Sequence, residues 1–483
     1  MPTAWRFDPL QPLEASHTWP APAADMAAAT TFLRRLLPSA ASSPSTSADA
    51  PIALSMDTPL VLLPDKDADG LCSTQVLHRT LLHLGVPPEH IKIHHLSKAT
   101  HAASRSETDK IKALNPAAVI LLDQGSRPGP PLLGKDTPPV LVIDHHYLHP
   151  GEGGPEGSLM LNASHSLPVA TSALLTWCLC RPLWSDVDSK DTSELAATSI
   201  DWLAVLGTCG DLSVNVAWDP PWPDLSPEIK RWTKKRIGTA VALLNAPRRT
   251  PDFDVATAYA SLAAAPDPLA LLDPHKNKHA QRLYDARNAV GEEAERCTHT
   301  PPKFAKDGRL AVLFINSAYQ VHPGIATRWS GALRGAKKLQ VVMCANTGYS
   351  PTGTHTHFSC RRAGAALKRG EDPNIIELLH EYAARDPQFL NDAKGAKALN
   401  FARGHREASG GILPHKLWER FVELMEIGVS ADKSEAGSSS GGGQKTSPSK
   451  AGQKTKLTSF FAAKGAKKED SNDKKVKVEE SAA

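Results

Sequence analysis

The chain of 483 residues contains no run of about 18 apolar residues, the length a helix needs to cross a bilayer, which excludes a membrane-spanning helix. It has no Cys-x-x-Cys pair. Its seven cysteines, at 72, 178, 180, 209, 297, 344 and 360, are scattered and odd in number, which argues against a disulfide framework and for a reduced, intracellular protein. The N-terminus lacks the basic start and apolar stretch of a secretory signal. There is also little excess charge of one sign. The formal net charge is +4, and residues 432–483, with eleven Lys against seven Asp or Glu, carry all of it. Residues 1–431 therefore balance, so net charge implies no general polyanion-binding surface, and any nucleic-acid contact must come from local placement. With 41% hydrophobic and 22% charged residues, a chain of this length is expected to form two or three domains with a substantial core.

Residues 1–55 are rich in Ala, Pro, Ser and Thr and read as mostly loose, with one short helix around Asp25 to Leu37. From Pro59 the pattern changes. Leu60 to Leu63, Val119 to Leu122 and Val140 to Ile143 are short, continuous apolar runs separated by helix-length segments, as expected of strands buried on both faces in a parallel sheet. Ser73 to Leu84 has the apolar spacing of a crossover helix, and Asp191 to Leu206 that of another. Residues 56–215 thus form a first α/β domain and 216–305 a mostly helical connector, opening at Ser226-Pro227 with Ser as cap. The connector carries the basic stretch Lys230, Arg231, Lys234, Lys235 and Arg236, which reads as a solvated helix face. Residues 306–428 form a second α/β unit, with strands at Leu310 to Ile315, Leu339 to Cys344 and Phe358 to Arg361 and a helix at Pro323 to Leu333. Residues 429–483, dominated by Ser, Gly, Lys and acids, read as a disordered tail.

Each of the three apolar runs ends in an acid: the first leads to Asp65-Lys66-Asp67-Ala68-Asp69-Gly70, the second to Asp123, the third to Asp144-His145-His146. Ligands of open parallel sheets bind at the carboxyl ends of the strands, so these side chains are expected to converge in one crevice. Asp211, after Gly207-Thr208-Cys209-Gly210, is expected to reach the same edge on a glycine-bearing loop. So many carboxylates together repel unless cations lie among them. Oxygen-rich ligands with one or two His suit Mn²⁺ or Mg²⁺ better than structural zinc, and two such ions can hold a phosphate oxygen and activate a water for phosphoester hydrolysis. The Asp-x-Asp-x-Asp-Gly run also opens a calcium-binding loop of the EF-hand type, but that loop needs Glu at its twelfth position, where this chain has Val76. His94-His95 has no acid beside it in sequence and reads as ordinary, and Cys178 and Cys180 are expected to pack inside a helix.

Asp-x-Asp-x-Asp-Gly, a strand-end Asp, Asp-His-His and Gly-Thr-x-x-Asp together resemble the four motifs of the DHH phosphoesterase superfamily, most nearly its RecJ-like branch. The resemblance covers roughly residues 60–425. It implies a two-ion Mn²⁺ or Mg²⁺ site with Asp65, Asp67, Asp69, Asp123, His145 and Asp211 as ligands, Asp123 bridging. It gives His146 a place facing the scissile phosphate and Asp144 a role in supporting the histidines. Arg403-Gly404-His405 through Gly410-Gly411 resembles the glycine-histidine motif of the DHHA1 domain, Ser359-Cys360-Arg361 its Ser-x-Arg element, and His322-Pro323 its His-Pro segment. By that likeness Ser359, Arg361, His405, Gly410 and Gly411 bind the substrate backbone; Arg403 departs from the usual glycine. The activity implied is a metal-dependent exonuclease that degrades single-stranded DNA or RNA. The alternatives are a phosphodiesterase for short oligonucleotides or cyclic dinucleotides, and a silent replication scaffold. Trp329, Tyr349 and Phe358 are candidates for stacking on bases.

In the tail, the spacing of Leu457, Phe460 and Phe461 is similar to the box that binds the sliding clamp PCNA, although the usual Gln position holds Lys454. Lys467-Lys468 and Lys474-Lys475-Val476-Lys477 suit nuclear import. The expectation is a replication or repair enzyme of a eukaryotic nucleus, with the cytoplasm as the alternative address.

Overall fold

A computed structural model describes residues 5–39, 50–186, 200–395, 401–404 and 406–429. Among these, two sheets form two separate layers of core. The first contains β1 (Leu60–Pro64), β2 (Ile91–Ile93), β3 (Ala118–Leu122), β4 (Val140–Asp144) and β5 (Leu159–Asn162), all parallel, in the order β2-β1-β3-β4-β5. The three apolar runs of the sequence are its central strands, and every residue of β1, β3 and β4 is buried. Each fully buried Leu, Ile or Val there contributes about 1.5–3 kcal/mol, which is why continuous apolar runs select this two-sided environment.

Helices α1 (Ala23–Arg35), α2 (Ala68–His83), α3 (Arg105–Ala113), α4 (Ser172–Cys180) and α5 (Asp201–Leu212) accompany this sheet, and α2 packs against both α4 and α5. Cys178 and Cys180 are buried in α4, as the sequence implied. The connector begins with α6 (Ser226–Trp232) and α7 (Lys234–Leu244). Ser226 does not cap α6; it lies inside the helix and its hydroxyl donates to Asp224 at 2.6 Å. The second sheet is mixed. Its order is β10-β11-β9-β8-β7-β6, where β6 is Lys303–Phe304, β7 Leu310–Ile315, β8 Val341–Asn346, β9 His355–Arg362, β10 Arg403–Gly404 and β11 Ala408–Pro414. Only β7 and β8 pair in parallel, and α8 (His322–Ser330) covers β8 and β9.

Two expectations change. The described part of the N-terminal segment is packed rather than loose: Phe7, Trp19, Met26, Phe32 and Leu33 are buried in the core of the first sheet. The short helix expected around Asp25 to Leu37 is present as α1, and the large side chains Met26, Phe32 and Leu33 are its buried face. The helix expected at Asp191 to Leu206 is described only from Asp201 and runs on to Leu212; residues 187–199 lie outside the described residues.

Candidate metal centre

Strand register sets the first half of the site. Pro64 pairs with Leu122 and Leu122 with Ile143, so the residues that follow, Asp65, Asp123 and Asp144, emerge side by side at the carboxyl edge. The Asp65 N–H donates to the Leu122 carbonyl and the Asp123 N–H to the Ile143 carbonyl, each at 2.9 Å. Asp123 has a left-handed backbone, with φ of 62°, a conformation that costs a non-glycine residue of order 1–3 kcal/mol and that clusters at functional sites.

Helix α2 begins directly after β1, and its start supplies two more acids. Asp67 caps it, accepting from the Gly70 N–H at 3.3 Å, and Asp69 lies in its first turn, fully buried. Gly70 permits this tight junction: a Cβ there would stand 2.7 Å from the Asp65 carbonyl oxygen. Asp69 points at the start of α4, where the Ser172 and Ala173 N–H groups donate to its two oxygens at 2.8 and 3.0 Å, a helix N-terminus facing a carboxylate.

Asp211 reaches the site differently from expectation. Gly207-Thr208-Cys209-Gly210 is not a loop but part of α5, and Asp211 lies in that helix's last turn. The glycines serve close packing. A Cβ on Gly207 would come within 2.3 Å of the Ala173 Cβ, and one on Gly210 within 2.9 Å of the Ala68 Cβ, so α5 is pressed against both α4 and α2. That contact puts Asp211 Oδ2 at 3.2 Å from His145 Nε2.

The result is three overlapping groups of candidate ligands: Asp65, Asp67 and Asp123; Asp69, His145 and Asp211; Asp123, His145 and His146. Within each group one donor atom per residue lies within 4.8 Å of the others. Asp144 stands behind them. It is buried and accepts from the backbone N–H groups of Ser126, His145 and His146 and from His146 Nδ1 at 2.8 Å.

Charges in the cluster are under strain. Burial, reinforced by the neighbouring Asp211, pushes the Asp69 carboxyl up to about 7. Burial and then the surrounding acids Asp69, Asp67, Asp211 and Asp65 push Asp123 well above the usual carboxylate range. Burial also acts to raise Asp144, but its hydrogen bond and charge interaction with His146 hold it at about 2. In return the hydrogen bond to Asp144 lifts His146 to about 9. Burial works against protonation of His145, yet Asp211 and Asp69 raise it overall. Lys66, 2.9 Å from Asp65, and Arg248, 3.7 Å from Asp67, supply the nearby positive charge. This donor set, carboxylates and imidazole converging with protons forced onto buried acids, suits a hard divalent cation.

Three further residues join the site that the sequence did not single out. Ser172 donates from Oγ to Asp123 Oδ1 at 2.9 Å, and its N–H lies 3.0 Å from His145 Nδ1. Asn245 Oδ1 accepts from the Ala68 N–H at 3.3 Å and from Arg248 Nε at 3.1 Å. A Ser before an apolar helix reads as a cap, and Asn245 and Arg248 sit in the motif-free connector.

In the second sheet, Ser359 and Arg361 lie on one face of β9, with Gly410 opposite Ser359. Arg361 donates from Nε to Thr327 of α8 at 3.1 Å. Gly410 is held close: a Cβ would stand 2.4 Å from the Phe358 carbonyl oxygen. His405, and Leu457, Phe460 and Phe461 of the tail, lie outside the described residues. Two of the three aromatics considered for base stacking are buried. Phe358 is buried against Trp418 and Tyr349 is buried edge-on to His357, while Trp329, in the last turn of α8, is half-buried against the neighbouring core and donates from Nε1 to the Thr298 carbonyl at 3.3 Å. Tyr349 instead joins the lobes: Lys98, from the loop after β2, lies 4.5 Å over its ring and donates to the Ala318 carbonyl at 3.1 Å. His94 and His95 stay apart from the cluster; His94 pairs with Glu107 at 2.9 Å and His95 packs near Tyr259. Among the described residues no helix is long and apolar enough to cross a membrane.

No family model and no curated protein matches the chain by sequence. Solved structures do match. RecJ from Thermus thermophilus in complex with Mn²⁺ aligns with a TM-score of 0.54 at 16% identity, over 86% of this chain and 55% of that one. This chain therefore spans about half the length of that protein. Another exonuclease RecJ, bound to manganese, aligns with a TM-score of 0.53 at 15% identity, over 86% of this chain and 94% of that one. The DHH domain of a protein assigned to a ribosomal-protein family aligns at 0.50 with 12% identity, over 77% of this chain and 88% of that one. The chain therefore has a mixed α/β fold with a five-stranded parallel sheet, consistent with RecJ-like DHH architecture.

Proposed function

We propose that this protein is a metal-dependent phosphoesterase, a RecJ-like exonuclease that hydrolyses single-stranded DNA or RNA from an end. The observation that carries the reading is the meeting of Asp65, Asp67, Asp69, Asp123, His145 and Asp211, from separate strands and helices, in three overlapping ligand groups. Those six residues would hold two Mn²⁺ or Mg²⁺ ions. Bound there, the ions would activate water and neutralise the charge that develops on a phosphodiester.

The chain's own residues do the rest. His146, lifted to about 9 by Asp144, is cationic at neutral pH and donates to a non-bridging phosphate oxygen. Asp144 orients it and keeps it charged. Ser172 holds the Asp123 carboxylate, and the start of α4 holds Asp69. In the second lobe, Ser359, Arg361 and the Gly410-Gly411 backbone, with His405, bind a neighbouring phosphate or terminus. The tail residues Leu457, Phe460 and Phe461 are the proposed contact with the sliding clamp PCNA, which suits work at replication or repair sites in a nucleus.

The direct test is cleavage of end-labelled single strands while Mn²⁺ is titrated into the purified protein. The expected result is metal-dependent shortening that Asp123→Ala and Asp211→Ala each abolish. No cleavage, or equal cleavage by these variants, overturns the assignment.

A further inference from the structure

We propose that the basic run on α6 and α7 is a track that holds the backbone of a single strand beside the metal centre, so that strands several nucleotides long, rather than dinucleotides, are the bound class. The inference rests on the phosphoesterase reading above and extends it to a surface that reading does not use.

Lys230, Arg231, Lys234, Lys235 and Arg236 are all exposed. Two of them have acidic neighbours: Arg231 lies 3.9 Å from Glu228, and Lys230 is near Asp224, which is engaged by Ser226. Among the described residues, the ion pairs include none from Lys234, Lys235 or Arg236. Three consecutive unneutralised bases are a marked local excess in residues 1–431, where positive and negative charges balance.

Position distinguishes this run from an ordinary solvated helix. Lys234 Nζ donates to Asn215 Oδ1 at 3.2 Å, and Asn215 is four residues beyond Asp211, whose carboxylate meets His145 in the metal cluster. Helix α5 packs against α7, and Gly238 of α7 lies against Val214. The bases therefore begin at the segment that leaves the cluster. Lys and Arg side chains contact phosphate rather than reading a base here, so the contact is independent of sequence and sensitive to salt.

The test compares the wild type, a K234A/K235A/R236A variant and an R334A/K337A/K338A variant that removes three exposed bases from the second lobe. Binding of a single strand of about 20 nucleotides is measured by fluorescence anisotropy in EDTA from about 50 to 200 mM salt. Neutralising three phosphate contacts at about 0.7 each lowers the slope of log affinity against log salt by about 2. The charge-retaining K234R/K235R variant keeps the wild-type slope, and cleavage of a dinucleotide in Mn²⁺ is unchanged by the triple Ala substitution. An unaltered slope, an equal drop in the second-lobe variant, or an equal loss on the dinucleotide overturns the track. Absence of cleavage on every substrate overturns the phosphoesterase reading instead, while the slope measured in EDTA still decides the track.

Discussion

The raised carboxyls of the cluster tie stability to pH and to metal in a direction that can be worked out. Asp69 ionises at about 7 in the folded protein without metal, some three pH units above its ordinary value. Between about pH 4 and 7 the folded state therefore holds at Asp69 a proton that the unfolded chain has lost, and this group's contribution to stability falls as pH rises, by about 1.4 kcal/mol per pH unit, while the buried His78, His95 and His357, held at about 4, and His322, at about 3, act in the opposite sense up to about pH 6.5. Asp123, pushed well above the usual carboxylate range by burial and the neighbouring acids, acts in the same direction as Asp69. His146 adds to it in the same direction between its ordinary 6.5 and about 9, though its side chain is 60% exposed and solvent screening keeps that share small. A divalent ion would displace the protons held on Asp69 and Asp123. At about 1,000 times its Kd it returns about 4 kcal/mol at pH 8, and much less at pH 5, where it must first compete with bound protons. In a folded unit of 431 residues that is a shift of roughly 5 °C. The assay is thermal unfolding in EDTA and in MnCl₂ across this pH range. A Mn²⁺-induced shift that does not grow with pH refutes the electrostatic reasoning.

Other substitutions test single links. Gly207→Ala forces α5 away from α4 and Asp69, and is expected to cost about 1–3 kcal/mol and to weaken Mn²⁺ binding, whereas Gly291→Ala, with nothing within 4 Å, should stabilise by about 0.5–1 kcal/mol in the same denaturation assay. Ser172→Ala removes the hydrogen bond to Asp123, and Mn²⁺ affinity measured by calorimetry should fall about 10- to 100-fold. Asp144→Asn takes away the charge that lifts His146; in the metal-free protein its NMR titration midpoint should drop from about 9 towards 6.5, and an unchanged midpoint would show that other acids hold the proton.

Much of this site could be read from sequence because its scaffold is repetitive and local. Leu60, Val119 and Val140 each begin a run buried on both faces, and an acid directly after such a run has little choice but the carboxyl edge. Asp211 arrives beside His145 by a route the sequence does not suggest: glycine weakens a helix in isolation, and only the facing Ala173 and Ala68 show that here it serves helix contact. Ser172 is invisible at that level because its three partners come from 27, 49 and 103 residues away. The aromatics mislead for the opposite reason, since Phe358 and Tyr349 look available in a motif-rich stretch but turn into the core beside the second sheet and against a histidine pair, respectively.

The packed N-terminal segment has a practical consequence. Phe7 stacks edge-on to Trp19 and Trp177, Trp19 donates to the Pro168 carbonyl at 2.8 Å, and Arg6 reaches the carbonyls of Trp218 and Trp222. Trp177 belongs to the same helix whose first turn grips Asp69. A shortened version starting at the first strand would strip the brace from the far side of that helix, and its lost chemistry would be mistaken for evidence that the deleted residues touch the substrate.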